Sequence, residues 1–439
     1  MTAVLSKVVE RVVLSVLGPY CQSTNAYGDS QFAFQKGVSC NDLVAALTCS
    51  WILAVENREK VGVYLSDISG AFDKVETGRL LAKLKAAGFN DELLRFLASY
   101  LEARRAVVLV NGETSDELEL ANMLYPGTVL GPTLWNVFFK DVKTAAESTG
   151  GTESKFADDL SVWKTYPAAT SNAEVLADLK RCQQQVHEWG TANRVSFDSG
   201  KEELLVLHHL QGEGEDFRLL GPVFDAKLQM HTAVQKAAGK ARAKLHAVLK
   251  TRRYYTTEDL VLQYKTHVLC LLETLTPAVY HATNTALAPL DKVQETLCRE
   301  LELSKEDAFL LHNLAPLALR RDVAMLGLLH KCNLGNAHPR LQELFPRAPP
   351  KEAAYYSTRH SERRHSKQLL ERCTGRFLEL TRRSAFGLVR VYNFLPEDTV
   401  NAETVTGFQS ALTELARAAC GKGHDDWEKL FSPRRVLQG

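Results

Sequence analysis

The order of apolar and polar residues in the first part of the chain predicts short helices and strands in mixed succession. Apolar residues at helical spacing predict helices over residues 1–20 and 40–58. Residues 61–66, Val-Gly-Val-Tyr-Leu-Ser, are rich in β-favouring side chains and predict a strand that ends at Asp67.

The next segment continues this alternation of helices and hairpins. Helical spacing predicts helices at about 76–87 and 91–103, and an Asn-Gly pair predicts a hairpin over residues 105–120. Residues 125–132 contain Pro-Gly and Gly-Pro pairs and predict a loop, which opens an apolar helix through about Ala146.

A second hairpin is predicted around Lys155-Phe-Ala-Asp-Asp-Leu160, where two acids lie between short apolar runs. Aspartate is common in turns, so Asp158 and Asp159 alone are most simply turn residues. Two adjacent carboxylates at a hairpin tip repel each other, and a bound cation would offset that repulsion. Asp67, at the end of another apolar strand, is a further acid that favours this interpretation.

The rest of the chain becomes progressively more helical. A helix is expected over residues 172–190, then a strand, turn and strand over 194–207, and a short strand at 217–221. From about 230 to 335 the pattern is almost wholly helical, and a small helical tail is expected over about 366–418.

Composition sets broad limits on the class of protein. The chain has 439 residues, of which 45% are hydrophobic and 24% charged, as in ordinary globular proteins of about two to four domains. It contains no apolar run long enough to cross a membrane and no signal-peptide pattern. Nine scattered cysteines without zinc spacing favour a reducing, intracellular compartment, either nucleus or cytoplasm.

The net charge of +1 conceals an uneven distribution. Residues 1–230 contain 22 Lys and Arg against 30 Asp and Glu, whereas residues 231–439 contain 31 against 22. This distribution suits a protein whose basic half binds a polyanion and whose acidic half binds cations. Solvated helix faces would give the same counts.

Three segments together resemble the reverse transcriptases in order and spacing. They are Asp67-Ile-Ser-Gly-Ala-Phe-Asp73, Gly127-Thr-Val-Leu-Gly-Pro132 and Phe156-Ala-Asp-Asp159. The segment Gln31-x-x-Phe34-x-x-Gly37-x-Ser39 resembles the fingers of the non-LTR, LINE-type branch.

Weaker matches extend the resemblance toward the C-terminus. Trp189 and Asn193 with Lys201 resemble the fourth palm motif, and Phe217-x-Leu-Leu-Gly221 resembles the fifth. The segment Ser384–Pro396 is similar to a C-terminal element common in non-LTR retrotransposon proteins.

The resemblance implies an α+β fold of the right-hand polymerase type, in which antiparallel palm strands pack on helices. It implies five regions: partial fingers (1–60), palm with remaining fingers elements (61–228), helical thumb or connector (229–345), basic linker (346–368) and small helical C-terminal tail (369–439).

The same resemblance implies roles for the acids. Asp67 and Asp158 would bind two Mg²⁺ ions, or Mn²⁺ in their place, with the backbone carbonyl of Ile68 as a further ligand. Asp159 would support the site electrostatically. Lys201 would protonate the departing pyrophosphate, or else be an ordinary surface lysine.

Three residues are implied in nucleotide binding. Phe72 would lie under the incoming sugar and exclude a 2′-OH, unless it is simply a core residue. Gly127 would let the backbone approach template and nucleotide, unless it only completes a Pro-Gly turn. Lys36 would contact the triphosphate in place of a missing arginine.

A basic helix after the palm is implied to contact nucleic acid. Four-residue spacing puts three lysines on one face, and two arginines follow: Lys236, Lys240, Lys244, Arg252 and Arg253. A solvated helix face is the alternative. The implied partners are an RNA template, a DNA primer and dNTPs, with no membrane and an undetermined oligomeric state.

Departures from the family pattern keep a second function open. Pro126 stands where relatives usually have glutamine, and Gln35 stands where they have arginine. The chain is expected to be N-terminally truncated, without upstream fingers or an endonuclease. It is therefore either a reverse transcriptase or an impaired remnant that only binds nucleic acid.

Overall fold

The computed structural model describes residues 4–349, 365–372 and 378–434. The chain forms two compact units, one of Met1–Ser39 with Val61–Val206 and the other of Cys40–Lys60 with Leu207–Gly439. These units differ from the expected regions, because residues 40–60 group with the C-terminal half rather than with the N-terminal segment.

Helices make up most of both units. In chain order they are α1 (Val4–Ser23), α2 (Cys40–Glu56), α3 (Thr77–Ala86), α4 (Asp91–Tyr100), α5 (Gly131–Phe139), α6 (Val142–Glu147), α7 (Asn172–Asn193), α8 (His231–Lys250), α9 (Thr257–Tyr264), α10 (Cys270–Glu273), α11 (Thr276–Val279), α12 (Asn284–Glu300), α13 (Lys305–Leu310), α14 (Leu317–Asn333), α15 (Pro339–Leu344), α16 (Glu379–Arg382), α17 (Ala385–Asn393), α18 (Glu397–Val400) and α19 (Val405–Gly421).

The strands are short and lie mainly in the first unit. They are β1 (Glu59–Ser66), β2 (Arg104–Ala106), β3 (Leu109–Val110), β4 (Glu113–Thr114), β5 (Leu118–Leu120), β6 (Thr152–Phe156), β7 (Asp159–Pro167), β8 (Glu203–Leu207), β9 (Phe217–Arg218) and β10 (Val223–Phe224).

A four-stranded sheet of order β6-β7-β1-β8 organises the first unit. Strand β1 is buried along almost its full length, which explains its continuous apolar sequence. At Gly62 a Cβ atom would come within 2.8 Å of Val175 and 2.9 Å of Tyr166. Glycine at this point therefore lets α7 pack closely against the sheet.

Local sequence signals were largely confirmed in this unit. The hairpin predicted on Asn111-Gly112 is present, and both residues have the positive φ angles that its tight turn requires. The helix expected to run to Ala146 is instead two helices, α5 and α6. The first strand expected in 194–207 is wrong: only a single bridge, Ile68 to Phe197, forms there.

The second unit is a helical assembly. Helix α8 packs on α12, α14 packs on α17 and α19, and α2 packs on α11 and α15. Lys331 on α14 pairs with the buried Asp42 of α2 at 2.6 Å. This ion pair joins two segments that lie 289 residues apart in the chain.

The C-terminal element Ser384–Pro396 forms helix α17 and its flanks. The hydroxyl of Tyr392 lies 3.0 Å from His330 Nδ1, and the side chain of Asn393 bonds both backbone groups of Leu369. The element therefore anchors the chain around Leu369. Of the expected basic linker, residues 350–364 lie outside the described residues.

Within the described part of the chain, no helix combines the length and apolarity needed to cross a bilayer.

Candidate active site

Asp67 follows directly on β1 and is held by a neighbouring segment. The backbone N–H of Asp198 donates to the Asp67 carbonyl at 3.0 Å, beside the bridge between Ile68 and Phe197. The carbonyl oxygen of Ile68, which the sequence predicted as a metal ligand, is not the acceptor in this hydrogen bond. The pairing fixes Asp67 at the end of a buried strand, as the sequence predicted.

The segment that holds Asp67 also carries Lys201 toward it. A tight turn forms where the N–H of Lys201 donates to the Asp198 carbonyl at 2.8 Å. Lys201 Nζ then lies 2.5 Å from Asp67 Oδ2 and 3.6 Å from Asp198 Oδ2. The hydrogen bond with Asp67 raises the pKa of the Lys201 ammonium, so this group stays protonated at neutral pH.

Glu202 directly follows the Asp198–Lys201 turn and anchors it to neighbouring side chains. Its carboxylate accepts hydrogen bonds from Tyr64 (2.5 Å) and from Gln183 (3.0 Å), and lies 2.8 Å from His187 Nε2. Burial alone would raise the pKa of Glu202, but the bonds with His187 and Tyr64 hold it below its usual value. The sequence singled out Lys201 but missed this support.

The hairpin between β6 and β7 presents the other two acids. Phe156 pairs with Asp159, so Ala157 and Asp158 are the two turn residues. Burial raises the pKa of Asp158, and the charge of Asp67 adds to the rise. Burial also raises the pKa of Asp159 to about 6, with further contributions from Asp158 and Asp67.

Strands β7 and β1 are neighbours in the sheet, and beyond the effect of burial the charge of Asp67 raises the pKa of both Asp158 and Asp159. Their mutual repulsion is what a bound cation would relieve. The described residues contain no ready-made group of three or more His, Cys, Asp or Glu for a metal ion. Mg²⁺, however, is commonly held by one or two carboxylates together with water and substrate phosphates. Asp67 and Asp158 fit that donor set.

Phe72 lies five residues after Asp67 and is half-buried. Its ring stacks on the buried Trp135 with centroids 5.8 Å apart and planes 18° apart. A Cβ at Gly131 would come 3.2 Å from the Phe72 ring. Packing therefore holds one side of the ring in a defined place.

The Pro126-Gly127 pair forms a tight turn before α5. The N–H of Thr128 faces the Tyr125 carbonyl at 3.3 Å, and Gly127 has φ +81°. Proline followed by a positive-φ glycine is the arrangement that a type II turn favours. A Cβ at Gly127 would meet no described atom within 4 Å, so conformation rather than crowding requires glycine here.

The loop that follows Gly127 is held by a residue that the sequence did not indicate. The buried Glu10 of α1 accepts hydrogen bonds from the N–H groups of Val129 (2.5 Å) and Leu130 (3.0 Å). A carboxylate at this position satisfies free amides at the start of α5. The contact spans 120 residues, which explains why local sequence gave no signal.

Lys36, which the sequence predicted to contact the nucleotide, lies in the loop that follows Gln31. Lys36 is solvent-exposed and forms no ion pair with any residue that the structure describes. Gln35, which stands in the place of an arginine, donates its side-chain amide to the Gln31 carbonyl at 2.5 Å.

In the second unit, the lysines of α8 form one exposed face. Lys236, Lys240 and Lys244 are all exposed, whereas the opposite face of α8 is buried. Beyond the helix, Arg252 pairs with Glu300 at 2.7 Å, and Arg253 lies over the ring of Tyr254.

Comparison with known proteins identifies the first half of the chain. A family model described as reverse transcriptase (RNA-dependent DNA polymerase) matches residues 1–224. The RNA-directed DNA polymerase from mobile element jockey of Drosophila funebris is 24% identical over 282 residues, which are 60% of this chain and 30% of that protein. Its Drosophila melanogaster counterpart is 30% identical over 264 residues, which are 55% of this chain and 28% of that protein.

A solved structure of apo telomerase from Candida tropicalis resembles the chain with a TM-score of 0.40 at 10% identity, over 77% of this chain and 56% of that one. The chain spans less than a third of the length of the jockey relatives. The family match covers just over half of the chain, includes Asp67, Asp158 and Lys201, and establishes that the chain belongs to the reverse transcriptase (RNA-dependent DNA polymerase) family.

Proposed function

We propose that the chain is the RNA-directed DNA polymerase domain of a non-LTR retrotransposon, which adds dNTPs to a primer 3′-OH along an RNA template. One observation carries the proposal: Asp67, directly after β1, and Asp158, in the turn between β6 and β7, share a site with the protonated Lys201. The retrotransposon relatives and the family match support it.

The regions take their roles in this proposal from the right-hand polymerase arrangement. They are partial fingers (1–60), palm (61–228), helical thumb or connector (229–345), basic linker (346–368) and helical C-terminal tail (369–439). The sheet that carries both acids supports the assignment of the palm.

In the proposed reaction, Asp67, Asp158 and the Ile68 carbonyl would hold two Mg²⁺ or Mn²⁺ ions. Such ions, when bound, activate the attacking hydroxyl and stabilise the leaving oxygen. Asp159 strengthens the negative field of the site. Lys201 is protonated at neutral pH and gives its proton to the departing pyrophosphate once its contact with Asp67 is broken, because loss of that contact removes the interaction that raises its pKa.

Three further residues select and hold the nucleotide in this proposal. The Phe72 ring, fixed against Trp135, excludes a ribose 2′-OH. The Pro126-Gly127 turn presents backbone to the template and the nucleotide. Lys36 reaches the triphosphate from an exposed position, as a point charge rather than a bidentate donor.

The basic face of α8 is proposed to contact the phosphates of the template–primer duplex. Its members are Lys236, Lys240 and Lys244, followed by Arg252 and Arg253. Contacts to phosphates supply affinity without selecting sequence.

Primer extension tests the proposal directly. The purified chain receives poly(rA)/oligo(dT), dTTP and Mg²⁺, and the lengths of the products are measured. Extension that disappears in Asp158→Ala, while primer–template binding persists, is the expected result. Tight binding without any extension would contradict the enzyme assignment.

The alternative, a remnant that only binds nucleic acid, is favoured by Pro126 and Gln35. Pro126 suits the backbone of its turn but supplies no side-chain amide. If that amide limits the reaction, Pro126→Gln increases the extension rate. An unchanged, low rate in this variant would mean that Pro126 is not the cause.

A further inference from the structure

The turn that presents Asp158 has an unfavourable backbone conformation. Ala157 has φ 59°, in the left-handed region that residues with a Cβ seldom adopt. Glycine, asparagine or aspartate usually occupies such a position in a two-residue hairpin turn. Alanine supplies no side chain to stabilise the turn, so the conformation must be held by other parts of the molecule.

Gln31 bonds both backbone groups of Ala157. Its Oε1 accepts from the Ala157 N–H at 3.0 Å, and its Nε2 donates to the Ala157 carbonyl at 3.3 Å. The Gln31 side chain is fully buried, so these bonds do not compete with solvent. The indole N–H of Trp135 adds a second donor to the same carbonyl at 3.0 Å.

Gln31 is itself fixed in place. Its segment lies parallel to β6. The Phe32 N–H donates to the Lys155 carbonyl at 2.9 Å, and the Lys155 N–H donates to the Ser30 carbonyl at 2.8 Å. Its Oε1 also accepts from the Ala33 N–H at 3.0 Å. The amide therefore reaches Ala157 from a buried segment that is bridged to β6.

We infer that Gln31 is a positioning residue for the reaction: it holds the Ala157 peptide in its left-handed conformation and thereby directs the Asp158 carboxylate toward Asp67. The inference rests on the proposed polymerase function for its kinetic consequences. The conformational part of the inference, that Gln31 holds the Ala157 peptide, can be tested without measuring polymerase activity.

Gln31→Met tests the inference, because methionine keeps the length of the side chain and removes both hydrogen bonds. Ser30→Ala is the matched control. Ser30 lies next to Gln31 in the same buried segment, but its hydroxyl bonds Glu153 rather than Ala157. Both variants lose buried polar contacts, and only Gln31→Met releases the turn.

The first measurement is amide hydrogen exchange in the peptide that covers Ala157, followed by mass spectrometry. In Gln31→Met this amide is expected to exchange at least about tenfold faster, while amides elsewhere in β6 and β7 keep the rates of the Ser30→Ala control. Equal protection of Ala157 in wild type and Gln31→Met would overturn the inference.

The second measurement is the Mg²⁺ dependence of primer extension. Gln31→Met is expected to lower kcat about tenfold and to raise the half-saturating Mg²⁺ concentration, with the KM for dTTP changed less than about threefold. Ser30→Ala lowers only the melting temperature. A Gln31→Met variant with the wild-type Mg²⁺ dependence would leave Gln31 a purely structural residue and overturn the positioning role.

A second substitution separates conformation from other effects. Ala157→Gly removes the Cβ that makes the left-handed conformation costly. Combined with Gln31→Met, it is expected to restore most of the lost kcat, whereas no recovery would contradict the proposed cause. If Gln31→Met does not fold, Gln31→Asn keeps a buried amide that is one methylene too short to reach Ala157, and it is held to the same expectations.

A failure of the proposed function gives a different result. If the wild-type chain extends no primer, the polymerase proposal fails, and the Mg²⁺ dependence of extension cannot be measured for any variant. The hydrogen-exchange arm still decides whether Gln31 holds Ala157.

Discussion

Lys201 Nζ lies 2.5 Å from Asp67 Oδ2, so the ammonium group occupies a position beside a proposed metal ligand. Two of the three carboxyl groups of the site, Asp158 and Asp159, have raised pKa values, and the charge of Lys201 opposes both rises. Lys201 therefore offsets part of the negative charge of the site in the absence of any other cation.

Substitution of Lys201 should separate metal affinity from reaction rate. Lys201→Met removes a cation that competes for Asp67, so we expect Mn²⁺ to bind the protein several-fold more tightly. The rate of primer extension should fall, since the proposed proton donor is lost. Mn²⁺ binding is measured by water proton relaxation without substrate.

The control for this experiment is Lys74→Met. Lys74 donates to the Ser196 hydroxyl at 2.6 Å, beside the segment that pairs with Asp67, rather than to an acid. Its removal takes away the same charge without exposing a carboxylate. Equal changes in Mn²⁺ affinity for the two variants would argue against direct competition at Asp67.

Phe72 should control the choice of sugar. Phe72→Val shortens a ring that packs against Trp135, and we expect the preference for dTTP over UTP to fall at least tenfold, since about 1.4 kcal/mol of discrimination is lost. Because the ring is half-buried, the free energy of unfolding should fall by only about 1–2 kcal/mol. The ratio of kcat/KM values for the two nucleotides is the measurement.

Phe96→Val provides a comparison in the same unit. Phe96 also stacks on an aromatic ring, that of Tyr100, with centroids 6.5 Å apart and planes 16° apart. It lies on α4, outside the cluster of acids. A similar loss of sugar preference in this variant would show that the effect is not specific to Phe72.

Two glycines distinguish a conformational need from a role in polymerisation. Gly127 (φ +81°) and Gly112 (φ +87°) both have positive φ, and a Cβ on either would meet no described atom within 4 Å. Each substitution by alanine should therefore cost a similar free energy of unfolding, about 1–2 kcal/mol. If substrate approaches the backbone at Gly127, only Gly127→Ala should also slow primer extension. Equal extension rates for the two variants would assign Gly127 to its turn alone.

The basic face of α8 should appear in the salt dependence of binding. Replacement of Lys236, Lys240 and Lys244 by alanine should reduce the slope of log K against log salt by about 2–3, and equally for different sequences. The matched variant replaces three other exposed lysines, Lys180, Lys422 and Lys429. An equal reduction there would mean that net charge, rather than this face, governs binding.

His281 should make the stability of the second unit depend on pH. Burial lowers the pKa of His281 to about 4, with Arg383 and Arg434 lowering it further and Asp225 and the Leu228 carbonyl opposing the shift. The unfolded chain binds a proton near the ordinary value of 6.5, whereas the native protein does not until near 4. Stability is therefore lost as the pH falls through this range.

Between pH 7 and pH 5 this histidine should reduce the free energy of unfolding by about 2 kcal/mol. His281→Gln keeps a donor for the Leu228 carbonyl, which Nε2 contacts at 3.1 Å, and removes the titration. Urea denaturation at the two pH values is the measurement. A variant whose stability falls as steeply as that of wild type would show that other groups cause the dependence.

Features that depend on neighbouring residues were predictable from sequence. The Asn111-Gly112 turn and the hairpin that carries Asp158 follow from apolar runs around short polar turns. Residues separated widely in the chain were not predictable. The amide of Gln31, the carboxylate of Glu10 and the grouping of residues 40–60 with the second unit all depend on contacts with distant segments.

Ala157 shows why the site was only partly predictable. Its sequence context indicates a turn, and a turn with a positive φ normally calls for glycine. Nothing near it in the chain signals that alanine takes this conformation, because the compensating bonds come from Gln31 and Trp135. Family resemblance predicted a role for the acids, whereas the hydrogen bonds that hold their turn became evident only in the structure.

The bond between Gln31 and Ala157 has a consequence for the order of folding. Since the two residues are 126 positions apart, the β6–β7 hairpin can pair locally before its tip receives these bonds. We expect the tip to mature last, after strand pairing. In pulse-labelling hydrogen exchange during refolding, the Ala157 amide should become protected later than the β6 amides that bond β7, and simultaneous protection would contradict this order.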